Sequence, residues 1–224
     1  MKYLIFDSGP LINLSMNGLL YILEDLKKTF NGKFLITKQV KYEVIDRPSG
    51  IPRFELGALM VQKLLDSGVL EMPSSVGISD GEITQKTNEF MTLANHSLKW
   101  QGNWVNIVSE AEMSCLALSS ILSEKGTENI IALDERTTRV LSERPENLEK
   151  LMSFKMHKNV KVVTKSLGPL AKFRFIRSSE IVYVAYKKKI LRISSPRALE
   201  AAIYATKFHG SSISWDEIKE LKRL

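Results

Sequence analysis

Five acidic side chains are the residues best placed to do chemistry in this sequence. Asp7 follows the apolar run Tyr3-Leu4-Ile5-Phe6, and Asp134 follows Ile130-Ile131-Ala132-Leu133. Glu43 lies in "ITKQVKYEV", and Glu110 and Glu112 lie in "SEAEMSCLAL". Three or four carboxylates from separate elements raise one another's pKa when they converge, unless a cation stands between them. Mg²⁺ or Mn²⁺ would resolve that repulsion. A hard, oxygen-ligated ion also holds water as a nucleophile for in-line attack on a phosphodiester. Each acid has an ordinary role as well: Asp7 can cap a helix, and Glu43 can pair with Arg47 one helical turn on.

Chemistry of this kind needs a scaffold that brings distant acids to one place. Strand-like apolar runs fall at 3–6, 34–36, 69–72, 130–133 and 160–163, separated by segments of helical period. That alternation predicts an α/β domain with a mostly parallel sheet, whose binding crevice lies at the carboxyl ends of the strands. Asp7 and Asp134 both stand there. The segment "ELGALMVQKLLDSG" reads as a helix closed by Gly68. Ser109 with Glu112 three residues on is a capping box, and Gly126 ends the helix it opens. Residues 74–106 combine a helical stretch with a Gly/Asn/Trp-rich "KWQGNWVN" that reads as loop or edge. From about 166 the alternation gives way to helices over 178–191 and 196–208 and a last one from Ser214. Two units are expected, 1–165 and a basic helical extension, 166–224, packed on the first.

Composition narrows the function classes. A single cysteine excludes an intramolecular disulfide framework and a cysteine-based zinc cluster, which fits a reducing, cytoplasmic setting. His96, His157 and His209 have no metal-ligand spacing. No apolar run approaches the roughly 20 residues of a membrane span, and the first residues are too short for a signal peptide. The net charge of +7 is unevenly placed: residues 155–192 hold eight Lys and three Arg against Glu180 alone. A basic segment beside a slightly acidic body points to a polyanionic partner, nucleic acid first. Lys187, Lys188 and Lys189 are its densest point, and Arg136 and Arg139, just beyond Asp134, could contact substrate phosphate.

Taken in order, "IFDSGPLINL", "ITKQVKYEV", "SEAEMSCLAL" and "IIALDERTTRVL" resemble the four acidic motifs of PIN-domain proteins. The resemblance covers about residues 1–165. It implies a PIN-like three-layer sandwich, with a central parallel sheet flanked by helices, and a metal-dependent ribonuclease using Mg²⁺ or Mn²⁺. Asp7 becomes the first acid, with Ser8 as its supporting hydroxyl, Glu43 the second and Asp134 the fourth. The third motif in this branch often begins Gly-Glu-x-Glu. Here Ser109 replaces the Gly and both Glu110 and Glu112 are candidates, with Glu110 favoured if Glu112 folds back onto the Ser109 amide. RNA is the implied substrate, with DNA open. The rival readings are a non-catalytic RNA-binding or assembly module and the toxin half of a toxin–antitoxin pair, which would have a protein inhibitor as partner. Whether the chain forms a homo-oligomer is open.

Overall fold

The computed structural model describes residues 2–163, 167–171 and 173–223. The chain alternates as the sequence predicts. Strand β1 (Tyr3–Phe6) leads into α1 (Ser8–Met16) and α2 (Tyr21–Thr29), then β2 (Lys33–Leu35) into α3 (Lys38–Lys41). A π-helical turn, Tyr42–Asp46, continues α3, and α4 (Glu55–Asp66) precedes β3 (Leu70–Glu71). After α5 (Asp80–Asn95) come the short strands β4 (Leu98–Trp100) and β5 (Asn103–Trp104), then α6 (Glu110–Glu124) and β6 (Asn129–Ala132). The rest is α7 (Arg136–Glu143), α8 (Leu148–Met156), β7 (Lys161–Val162), β8 (Phe175–Ile176), α9 (Ser178–Lys187), α10 (Ala198–Phe208) and α11 (Trp215–Leu221).

The central sheet has the order β3-β2-β1-β6-β8, and all its pairings are parallel. Its direction of growth reverses between β1 and β6, so the crevice of this sheet opens at the ends of those two strands. Ile5, Phe6, Leu35, Ile131 and Ala132 are fully buried, as expected of parallel strands covered by helices on both faces. Helix α6 is buried almost throughout. The small side chains Ala111, Ser114 and Ala117 let it lie close to its neighbours, and the Ser114 hydroxyl meets that of Thr37, the cap of α3, at 2.6 Å.

Two elements depart from the expectation. The run 160–163 is not a strand of the parallel sheet: β7 pairs antiparallel with β4, which also pairs with β5, in a separate three-stranded sheet. The hairpin between β4 and β5 turns through Gln101 and Gly102, both at positive φ (48° and 82°). The fifth parallel strand is instead β8, from the segment expected to be purely helical, with Ile131 and Ala132 in register with Phe175 and Ile176. The expected boundary at 165 and 166 falls outside the described residues. Beyond it, Ile181, Val182 and Ala185 of α9 belong to the main core, whereas Ile203, Ile213 and Ile218 form a small separate cluster between α10 and α11. Among the described residues no helix is long and apolar enough to cross a membrane.

Candidate functional site

At the end of β1 the ladder continues one residue further, the Asp7 amide donating to the Ala132 carbonyl at 3.0 Å. Asp7 therefore sits rigidly at the switch point. It also caps α1: Oδ2 accepts the Gly9 amide at 3.2 Å. The side chain is buried, and its second oxygen, Oδ1, has no hydrogen-bond partner. Burial, then the charge of Glu112 and to a lesser degree that of Glu43, push its carboxyl up to about 8, against the opposing pull of the Gly9 and Ser8 amides. The support that Ser8 gives Asp7 thus comes through its backbone. Cys115 lies against the same acids, its thiol donating to the Phe6 carbonyl at 3.6 Å. Burial first, then Asp7 and Glu112, hold that thiol well above its ordinary range.

Glu112, in the first turn of α6, lies near enough for its charge to act on Asp7. Its Oε2 accepts the Ser109 amide at 3.5 Å and also bonds the Thr138 hydroxyl of α7. Burial raises its carboxyl, the Thr138 bond opposes this, and Glu135 raises it further. The capping box therefore does not exclude Glu112 from the site, because the start of α6 itself abuts α7 and the end of β1. Glu110, favoured on capping grounds, lies on the opposite side of the helix. It is exposed and accepts from Gln39 at 3.3 Å. Glu43 is half-buried on the π-helical turn, where Arg47 donates its amide five residues back to Tyr42. Single π turns inside helices recur at functional sites. The wider winding removes the i,i+4 relation to Arg47, and among the described residues no ion pair joins the two.

Asp134 is placed differently from the expectation. It is buried, and burial raises its carboxyl, but both oxygens have partners. Oδ1 accepts the Ser178 amide (2.9 Å) and hydroxyl (3.0 Å) at the start of α9, and Oδ2 accepts the Asn13 side-chain amide at 3.2 Å. Its carbonyl accepts the Ser212 amide at 3.2 Å, and Asn13 also donates to the Thr206 carbonyl at 2.8 Å. Asp134 thus joins the extension to the first helix. Sequence reasoning missed this link, and it missed Glu135, whose charge acts on Glu112 while its side chain caps α7 and pairs with Lys155 at 2.9 Å. The adjacency of Glu135 to a strand-end acid was the available signal.

The expected cationic contacts are partly committed elsewhere. Arg136 is exposed at the start of α7, but Arg139 bonds both Glu143 oxygens at 3.3 Å. In the basic stretch, Arg177 is buried between Glu180 (2.8 Å) and Glu217 (2.9 Å), and Arg192 pairs with Asp25 at 2.9 Å. Lys187 lies 5.5 Å from the Tyr183 ring, and Lys187, Lys188 and Lys189 are all exposed.

The fit to a divalent ion is one of donor chemistry. Asp7, Glu43 and Glu112 supply only hard oxygen donors, one of them a buried oxygen without a partner, which suits Mg²⁺ or Mn²⁺. Among the described residues, no group of three or more His, Cys, Asp or Glu side chains is arranged as a ready-made ion cage. No family model, curated protein or solved structure matches this chain.

Proposed function

We propose that the chain is a metal-dependent endoribonuclease whose acid site is Asp7, Glu43 and Glu112, carried by one observation: a buried strand-end carboxylate with an unpartnered oxygen at the sheet's switch point, on which the charges of two further acids act. The PIN-like resemblance supports the choice of RNA. When bound, Mg²⁺ or Mn²⁺ would neutralise phosphate charge and lower the pKa of a water molecule. Asp7 Oδ1, Glu43 and Glu112 would hold it. The Gly9 amide fixes the other Asp7 oxygen, and Thr138 with Ser109 fixes Glu112, so two of the three acids are held by the fold. Arg136 is the cation best exposed to receive a phosphate beside them.

This reading separates the two glutamates of the third motif. Glu110→Gln is expected to leave Mn²⁺-dependent cleavage of labelled single-stranded RNA within about twofold. Glu112→Gln should lower it by more than the roughly 10- to 100-fold typical of losing an outer partner of a metal site. Cleavage in EDTA, or equal activity of both variants and the parent, would overturn the assignment. One observation favours a second reading, a non-catalytic RNA-binding or assembly module: Asp134, the expected fourth acid, is occupied in holding the extension. RNA binding by the parent chain without cleavage in either metal would decide for it.

A further inference from the structure

The small antiparallel sheet carries a surface that the acid site does not use. Trp104 on β5 is 43% exposed, with the Lys99 ammonium 4.2 Å from its ring centre and the His96 ring against its edge at 4.9 Å. Trp100, next along β4, turns to the opposite face, half-buried on the main core, with the Lys158 ammonium 3.7 Å from its ring centre. Lys161 on β7 pairs across from Lys99. The two segments that build this face, residues 95–105 and 154–163, contain four lysines and no acid. The carboxylate bonded to this sheet is Glu149, which accepts the Val162 amide at 3.0 Å.

An exposed indole with Lys99 at its ring and Lys161 paired beside it, on strands that hold no acid, matches what a single strand of nucleic acid offers. Bases supply faces for stacking and phosphates supply the counter-charge. A lysine on an exposed indole face is a weak, reversible cation–π contact, so a phosphate can draw the ammonium aside as a base takes its place.

The position suits the acids as well. Trp104 is five residues before Ser109, at most about 18 Å along an extended chain. Lys155, three residues before Lys158, bonds Glu135, which in turn acts on Glu112.

We infer that the β4–β5 hairpin and β7 form a platform for single-stranded RNA, with Trp104 stacking on a base and Lys99 and Lys161 pairing with phosphates. The inference rests on the ribonuclease reading for its choice of RNA, but its test does not depend on cleavage. Binding of the full chain to fluorescein-labelled oligouridine is followed by anisotropy in EDTA, over a range of salt. Trp104→Ala should weaken binding about fivefold or more, and Trp104→Phe should restore most of it. Replacing Lys99 and Lys161 by Gln should flatten the log–log salt slope by about 1.4. Far-ultraviolet dichroism and melting of each variant establish that it is folded. Unchanged affinity and slope in folded variants overturn the platform. So does a concentration-dependent dimer that Trp104→Ala disrupts without affecting RNA, which would assign the face to a second copy of the chain. RNA binding that depends on Trp104, in a chain that cleaves nothing with Mn²⁺, would uphold the platform while removing the nuclease reading.

Discussion

Asp7→Asn is expected to make the metal-free protein more stable at pH 8 while removing its response to Mn²⁺. The reasoning starts from a carboxyl raised from 3.8 to about 8 by burial and by Glu112 and Glu43. Below about pH 4 the group is protonated in folded and unfolded chains alike, and its proton costs nothing. Above that, the unfolded chain releases the proton while the folded chain keeps it, so stability falls as pH rises and is lost by about pH 8. At ~1.4 kcal/mol per pKa unit the difference is on the order of 5 kcal/mol for the free protein. An asparagine does not titrate, so the variant should lack this slope. In thermal melts without metal, the parent should lose stability between pH 4 and pH 8 and the variant should not, with the variant melting about 10 °C higher at pH 8. A divalent ion that binds the folded chain alone should raise the parent's melting temperature at pH 7 and leave the variant's unchanged. Parallel pH profiles for the two proteins would remove Asp7 as the titrating acid.

The second large effect is on the architecture. Asp134→Ala should detach the extension, because it leaves the Ser178 amide and hydroxyl and the Asn13 amide without the acceptor they share. Leaving a buried donor unsatisfied costs about 1–3 kcal/mol, so losing this junction should cost about 3 kcal/mol or more. Asp134→Asn should be intermediate. An Asn oxygen can still accept from Ser178, but its amide would then face that of Asn13, which is held in place by Thr206 and by Asn17 at 2.9 Å. Urea denaturation measures the loss. Amide exchange should show α9 and α10 losing protection while β1 and β2 keep theirs, because the main core reaches them independently of Asp134. Undiminished protection of α9 would mean that Ile181, Val182 and Ala185 hold it without the carboxylate.

The sequence made some of this legible and hid the rest for reasons that can be named. Asp7 was readable because an acid directly after an apolar strand falls at the carboxyl end of that strand, and the runs at 3–6, 34–36 and 130–133 are continuous apolar stretches, while Glu71 interrupts the one at 69–72. The stretch 160–163 differs from them in pattern. Buried Val160 is followed by exposed Lys161, the one-sided alternation of an antiparallel strand rather than the two-sided burial of a parallel one. Strand β8 was hidden because two residues inside a basic segment carry no periodicity; its register is imposed by Ile131 and Ala132. The choice between Glu110 and Glu112 turned on the assumption that capping and site chemistry compete. They need not compete here, because Thr138 draws the capping Glu112 across to α7. The partners of Asp134 lie 44 and 121 residues away in the chain, beyond any local pattern.

The helices after β8 also show how charge on a sequence differs from charge on a surface. Arg177 counts toward the basic stretch, yet it spans Glu180 and Glu217, and against the cost of burial the Ser214 amide and hydroxyl, then Arg177, hold Glu217 down at about 2. Its work is to join α9 to α11. Exposed cations that can meet a polyanion include Arg136, Lys188 and Lys189, and Lys161 on the small sheet.

The central claim, that Asp7, Glu43 and Glu112 form a cation site, is tested most directly by calorimetric titration of Mn²⁺ into the full chain at pH 7, in buffers of differing ionisation enthalpy. Saturable binding that releases about one proton per ion, and that disappears in Asp7→Asn, is the predicted result, because a carboxyl must give up its proton to become a ligand. Binding of equal strength in Asp7→Asn, or no saturable binding to the parent, would contradict it.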